Sequence, residues 1–160
     1  MQLFLLRHAE AESSSPDALR QLTPRGFAQI EVLVRMLDTA EFSAIAAIEH
    51  SPLIRAHQSA ESFRLAAGLR QPLLECSYIT PDDNPVFTAR KILSGTGDRF
   101  FVTHNPHAEK LACLLIGQSG TGVHVSFPTA SLMVLELLSP ASTRFPCGEW
   151  ILKAFFVPSI

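Results

Sequence analysis

Arg7 and His8 stand side by side at the end of the apolar run Leu3 to Leu6. Arg55 comes shortly after a second apolar run, and His104 directly after a third. Two imidazoles and two guanidiniums crowded into one cleft repel one another unless a multiply charged anion is the usual occupant. A phosphoryl group suits such a cleft, because a guanidinium offers it paired N–H donors. A neutral imidazole can attack phosphorus and become a phosphohistidine, which divides one displacement into two. The remaining groups would hold the three non-bridging oxygens and offset the charge of an in-line transition state. With arginines in that electrostatic role, neither a metal nor another cofactor is required.

This chemistry depends on elements that bring the four residues to one place. Leu3 to Leu6 has the length of a strand buried on both faces. Phe42 to Ile48 reads as a second strand, stopped at Glu49-His50-Ser51-Pro52, and Arg99 to Thr103 as a third. In an open α/β sheet, ligands gather at the carboxyl ends of the strands. Parallel pairing would therefore set Arg7, His8, Arg55 and His104 around one mouth.

The intervening segments read as helices. Thr23 is an N-cap and Pro24 fits the first helical position. Phe27, Ile30, Leu33, Val34 and Leu37 then recur at helical spacing, which predicts a helix over 24–38. A second helix is predicted from about Leu53 to Ala67, with Gly68 as its stop. Arg55 lies in its first turn, where the helix dipole repels a cation unless the side chain faces a bound anion. Leu73 to Glu75 reads as a short strand, Asn84 as a cap and Val86 to Leu93 as a helix. Asn105 and Pro106 are expected to open a helix carrying Leu111, Leu114 and Leu115, stopped by Gly117. Gly117 to Thr129 reads as a surface loop. Ser131 to Leu138 and Trp150 to Val157 read as a late antiparallel pair. The alternation predicts an α/β fold, three layers deep around a mixed, mostly parallel sheet, with one domain over residues 1–160.

Composition narrows the function classes. The 160 residues are 47% apolar and 18% charged, with a net charge of −2, so nothing suggests a nucleic-acid footprint or a basic membrane face. Cys76, Cys113 and Cys147 are odd in number and widely spaced, which argues against a disulfide framework or a structural zinc site. The first strand begins almost at Met1, leaving no room for a cleavable signal, and no stretch is long enough to cross a bilayer. The expectation is a soluble, cytoplasmic domain.

Four motifs, in order, resemble those of the histidine phosphatase superfamily, which has the phosphoglycerate mutase-like fold. They are Leu6-Arg7-His8-Ala9-Glu10, Leu22-Thr23-Pro24-Arg25-Gly26, Ser51-Pro52-Leu53-Ile54-Arg55-Ala56-His57-Gln58-Ser59-Ala60-Glu61 and Val102-Thr103-His104-Asn105-Pro106. In size the chain is similar to the compact SixA-type phosphohistidine phosphatases. The resemblance implies that His8 is the nucleophile and that Arg7, Arg55 and His104 form the phosphate pocket, with Asn105 beside them as a further substrate contact. It also implies a phosphorylated protein, such as a histidine phosphotransfer domain, as partner. Ala9 stands where many members have glycine, Thr103 replaces a glycine and Ser59 a threonine; none of these changes removes a charge or a nucleophile.

Larger relatives carry a glutamate that protonates the leaving oxygen, and here only Asp82 and Asp83 fall in the corresponding region. An imidazole leaving phosphohistidine demands less proton donation than an alkoxide, which favours phosphohistidine over an ester. A small phosphate ester or sugar phosphate, or phosphate binding without turnover, stand as alternatives. The other histidines have structural readings: His50 at a strand end, His57 facing solvent, His107 at a helix start within reach of the rim, and His124 in the glycine-rich loop. Thr129, Ala130 and Ser131 open a late strand beside the presumed mouth.

Overall fold

The computed structural model describes residues 1–117 and 122–160. The chain begins with β1 (Gln2–Arg7), followed by a short 3-10 turn at Asp17–Leu19, α1 (Pro24–Arg35), a second 3-10 segment at Thr39–Ala44, β2 (Ile48–His50) and α2 (Ile54–Ala66). It continues through β3 (Leu73–Glu75), α3 (Pro85–Leu93), β4 (Arg99–Thr103), α4 (His107–Ile116), β5 (Leu132–Ser139) and β6 (Glu149–Phe156). The six strands form one sheet in the order β3-β2-β4-β1-β5-β6. Strands β1 to β4 run parallel, and β5 is antiparallel to both β1 and β6. The mixed, mostly parallel sheet is as the sequence led us to expect.

The central strands β1 and β4 are short apolar runs because both faces of the sheet are covered there. Alternate side chains of β1 feed two separate cores. Phe4 and Leu6 pack with Ile30 and Leu33 of α1 and Ala56, Ala60 and Phe63 of α2. Leu3 and Leu5 pack with Ala89 and Ile92 of α3 and Leu111, Ala112 and Leu115 of α4. Helices thus lie on both sides of the sheet.

Local signals explain several boundaries. The Thr23 side chain accepts from the Gly26 amide at 3.0 Å and Pro24 opens α1. The Asn84 side chain caps α3 through the Val86 amide at 2.9 Å. Gly68 adopts a positive φ of 65° just past α2, a conformation that favours glycine. Gly26 has a steric reason instead. A Cβ placed there would lie 2.1 Å from the Glu10 carbonyl oxygen, so α1 meets the segment after His8 backbone to backbone.

The run Phe42 to Ile48 is not one strand. Only Ile48–His50 pairs, because its neighbours β3 and β4 offer partners over just those three residues. The preceding segment folds into the 3-10 turn, capped by the Asp38 carboxylate on the Ala40 amide at 3.1 Å. It delivers Phe42 as a plug against Phe4, Phe63 and Phe100, with ring centroids 4.9, 5.3 and 5.6 Å away. The expected surface loop over Gly117–Thr129 lies partly outside the described residues. Its described part buries Phe127 against Phe155, centroids 5.1 Å apart.

Candidate active site

The carboxyl ends of β1, β2 and β4 meet at one end of the sheet. Beyond β1, the backbone is pinned from both sides: the His8 amide donates to Thr103 O at 2.9 Å, and the Arg7 amide to Ser131 O at 3.0 Å. The Ala130 amide donates to His8 O at 3.1 Å, and Ala130 itself carries a positive φ of 58°. A third tie comes from α2. The Ala9 amide donates to Ser59 Oγ at 3.0 Å, and that hydroxyl donates to the Arg55 carbonyl at 2.6 Å. The loop that carries His8 is therefore tied to β4, to the residues leading into β5 and to α2 together.

This frame sets His8 against His104, with ring centroids 4.9 Å apart and planes at 52°. Both are buried, 7% and 1% exposed. His8 Nδ1 lies 2.7 Å from the Ala9 carbonyl, which can only accept, so Nδ1 carries the proton and Nε2 keeps its lone pair. Burial pushes the His8 pKa down to about 3, partly offset by the Ala9 hydrogen bond and reinforced by Arg55, Arg7 and Arg20. Burial also pushes His104 down to about 2, helped by His8 and the arginines. Both rings are neutral at physiological pH, and His8 presents a bare nitrogen.

Several polar atoms at this site lack protein partners. Both ring nitrogens of His104, Nε of Arg7 and Nε of Arg55 are buried without a hydrogen bond. Unpaired buried donors carry a desolvation cost that an oxyanion among them would relieve.

Arg55 departs from the simplest expectation. It does lie in the first turn of α2, but its terminal nitrogens already meet Asp17 within the protein: Nη1 donates to the main-chain carbonyl at 2.8 Å and Nη2 to Oδ2 of the carboxylate at 3.0 Å. Asp17 forks between two cations, its other oxygen accepting from Arg20 Nη1 at 3.0 Å. Arg20 is further tied through Nε to the Glu12 carbonyl. Asp17 and Arg20 were not singled out in the sequence. They lie in a polar loop with no periodicity, where only the pairing of an acid and a base at i, i+3 offered a hint.

Asn105 is placed next to His104, but its amide hydrogens are committed. Nδ2 donates to Glu109 Oε1 at 2.7 Å and to Phe127 O at 3.0 Å, while Oδ1 is buried without a partner. It does not cap α4 either: the helix starts at His107, directly after Pro106, without a side-chain cap. Arg7 Nη1 donates to the same Phe127 carbonyl. Of the two candidate acids, Asp82 is exposed, and Asp83 accepts from the Thr80 amide at 2.6 Å and its hydroxyl at 2.7 Å.

The remaining histidines sort by burial. His107 is not at the rim: it is fully buried, with Nε2 3.0 Å from Thr88 Oγ1 and Nδ1 3.3 Å from Thr103 Oγ1. Burial brings it down to about 4, against the pull of Asp83. His50 is buried, its Nδ1 2.9 Å from Ser51 O, and packs edge-on to the exposed His57, centroids 4.8 Å apart. His124 is exposed. Among the described residues, no group of three or more His, Cys, Asp or Glu side chains is placed to hold a metal ion. No helix among them is long and apolar enough to cross a membrane.

With this geometry in place, comparison with known proteins becomes informative. Residues 3–77 match the family model of the histidine phosphatase superfamily, branch 1. The matched segment is just under half of the chain and holds the first three motifs; the fourth, around His104, lies beyond it. The resemblance read from the motifs is thereby borne out. Beyond that segment the likeness to solved structures is one of fold, and it covers nearly all of the chain. The structure of the protein histidine phosphatase SixA complexed with tungstate superposes with a TM-score of 0.82 at 20% identity, covering 99% of this chain and 97% of that one. A chain assigned as the phosphohistidine phosphatase SixA of Agrobacterium tumefaciens gives 0.76 at 22% identity, covering 98% and 97%. A mutant phosphoserine phosphatase from Entamoeba histolytica, in complex with phosphoserine, gives 0.66 at 14% identity, covering 96% and 95%. Among curated proteins, no sequence match is found.

Proposed function

We propose that the chain is a cytoplasmic phosphatase that removes phosphate from a phosphohistidine side chain of another protein, such as a histidine phosphotransfer domain, with His8 as nucleophile. The observation that carries this reading is the bare Nε2 of a neutral, buried His8 facing His104 among unpaired donors. His8 Nε2 attacks phosphorus, the phosphorus–nitrogen bond to the substrate imidazole breaks, and that imidazole leaves with its electron pair. Water then attacks the phosphorylated His8, releasing inorganic phosphate and restoring the ring. Arg7, Arg55 and an N–H of His104 hold the non-bridging oxygens through both displacements.

The choice of substrate follows from proton supply. An ester needs a donor for its alkoxide; Asp83 has one carboxylate oxygen committed to Thr80, and Asp82 is exposed. A leaving imidazole needs less help. The tungstate-bound SixA relative supports an oxyanion at this site, and the phosphoserine-bound relative makes an ester the competing substrate.

Turnover of a phosphohistidine protein set beside turnover of a phosphate ester tests the reading. Phosphohistidine should be the faster substrate, and His8→Ala should cut turnover by about 10³-fold or more while phosphate still binds. Ester turnover equal to or above phosphohistidine turnover would overturn the choice of substrate, and full activity of His8→Ala would overturn the mechanism.

A further inference from the structure

Glu109 lies in the first turn of α4, partly buried, and belongs to none of the motifs. Its Oε1 accepts from Asn105 Nδ2 at 2.7 Å and from the Phe127 amide at 3.3 Å. The carbonyl of that same Phe127 accepts from Asn105 Nδ2 at 3.0 Å and from Arg7 Nη1. Two acceptors thus converge on the Asn105 amide nitrogen, which fixes which way the amide faces. The Phe127 peptide is held at both ends: its N–H on Glu109 and its C=O on Arg7 and Asn105. The Phe127 ring anchors the same residue in the core against Phe155. The segment around Phe127 has no regular secondary structure of its own, so these side-chain bonds replace a strand ladder in holding it.

We propose that Glu109 is a positioning residue for Arg7, acting through Asn105 and the Phe127 peptide; this rests on the phosphatase reading above, in which Arg7 holds a phosphoryl oxygen. Glu109 does not touch the substrate. It sets the carbonyl on which the Arg7 guanidinium rests, and so holds that guanidinium in place while its Nε stays unpaired. A carbonyl rather than a carboxylate as the direct partner leaves the positive charge of Arg7 available to an anion. The carboxylate charge acts from one residue further back and offsets part of the cost of burying the guanidinium.

A double-mutant cycle on the full chain tests this, read by titration calorimetry with tungstate. Glu109→Ala should weaken tungstate binding about tenfold when Arg7 is present and have little effect in an Arg7→Ala background. Glu109→Gln, whose amide oxygen can accept the same two bonds, should restore affinity to within about threefold of wild type. Asn105→Ala interrupts the network at its other end and should show the same dependence on Arg7, which keeps the test open if Glu109→Ala unfolds. Equal weakening with and without Arg7, or no weakening at all, overturns the proposal. Absence of tungstate binding by the wild-type chain overturns the phosphatase reading instead.

Discussion

At the scale of single residues, the site is a set of cations arranged so that few of them are free of partners. Arg55 is divided between Asp17 and an unpaired Nε, and Arg7 between a carbonyl and an unpaired Nε. A lysine at position 55 keeps the charge but has no fork with which to hold Asp17 and reach an oxyanion at once. Arg55→Lys should therefore weaken tungstate binding by about tenfold to a hundredfold, read by calorimetry; unchanged affinity would mean that Arg55 serves only Asp17. Arg7, His8, Arg55 and His104 were legible in the sequence because each sits at the boundary of a regular element, where strand and helix patterns fix its place. Asp17, Arg20, Glu109 and Phe127 were not. Their contributions run through loop backbone or through a side chain on a neighbouring element, and neither leaves a period or a fixed spacing.

At the scale of elements, the contact between α1 and the segment after His8 decides whether the site holds its shape. Gly26 admits no side chain because the Glu10 carbonyl occupies the space a Cβ would take. Gly26→Ala should push α1 away from that segment and cost about 1–3 kcal/mol in stability, measured by urea unfolding, with a parallel loss of oxyanion affinity. A stable Gly26→Ala chain with wild-type affinity would show that the approach is slack. The helices and parallel strands were legible from capping residues and apolar spacing. The turn at Thr39–Ala44 was not, because a short apolar run reads the same whether it pairs in a sheet or folds into a turn that delivers one aromatic to the core. His107 was misplaced for a related reason: its position in the first turn of α4 is plain from sequence, but the two threonines that enclose it come from α3 and β4.

At the scale of the whole molecule, four buried histidines link folding to pH, with burial lowering His50 as well as the three at and beside the site. His8, His104 and His107 take up protons at about 3, 2 and 4 in the folded chain, and near 6.5 once unfolded. Below pH 6.5 the unfolded chain binds more protons, so stability is full above that pH and is lost as the pH falls. Each of these three histidines contributes on the order of 1 kcal/mol per pH unit over that range. The urea midpoint should drop steadily between pH 7 and pH 5, and saturating tungstate should reduce the drop by supplying negative charge to His8 and His104. A midpoint constant over this range would contradict the neutral, buried state of the rings.

The bond from the Arg7 amide to Ser131 gives the order of synthesis a bearing on activity. His8 leaves the ribosome well before Ser131, the residue more than a hundred positions later that fastens the peptide in front of it. A nascent chain that has emerged only as far as α4 can form the bond from the His8 amide to Thr103 but lacks the second tie, from Ala130 and Ser131, on the other side of the segment. On the proposed reading, competence for phosphate is complete only when the segment leading into β5 has docked beside β1.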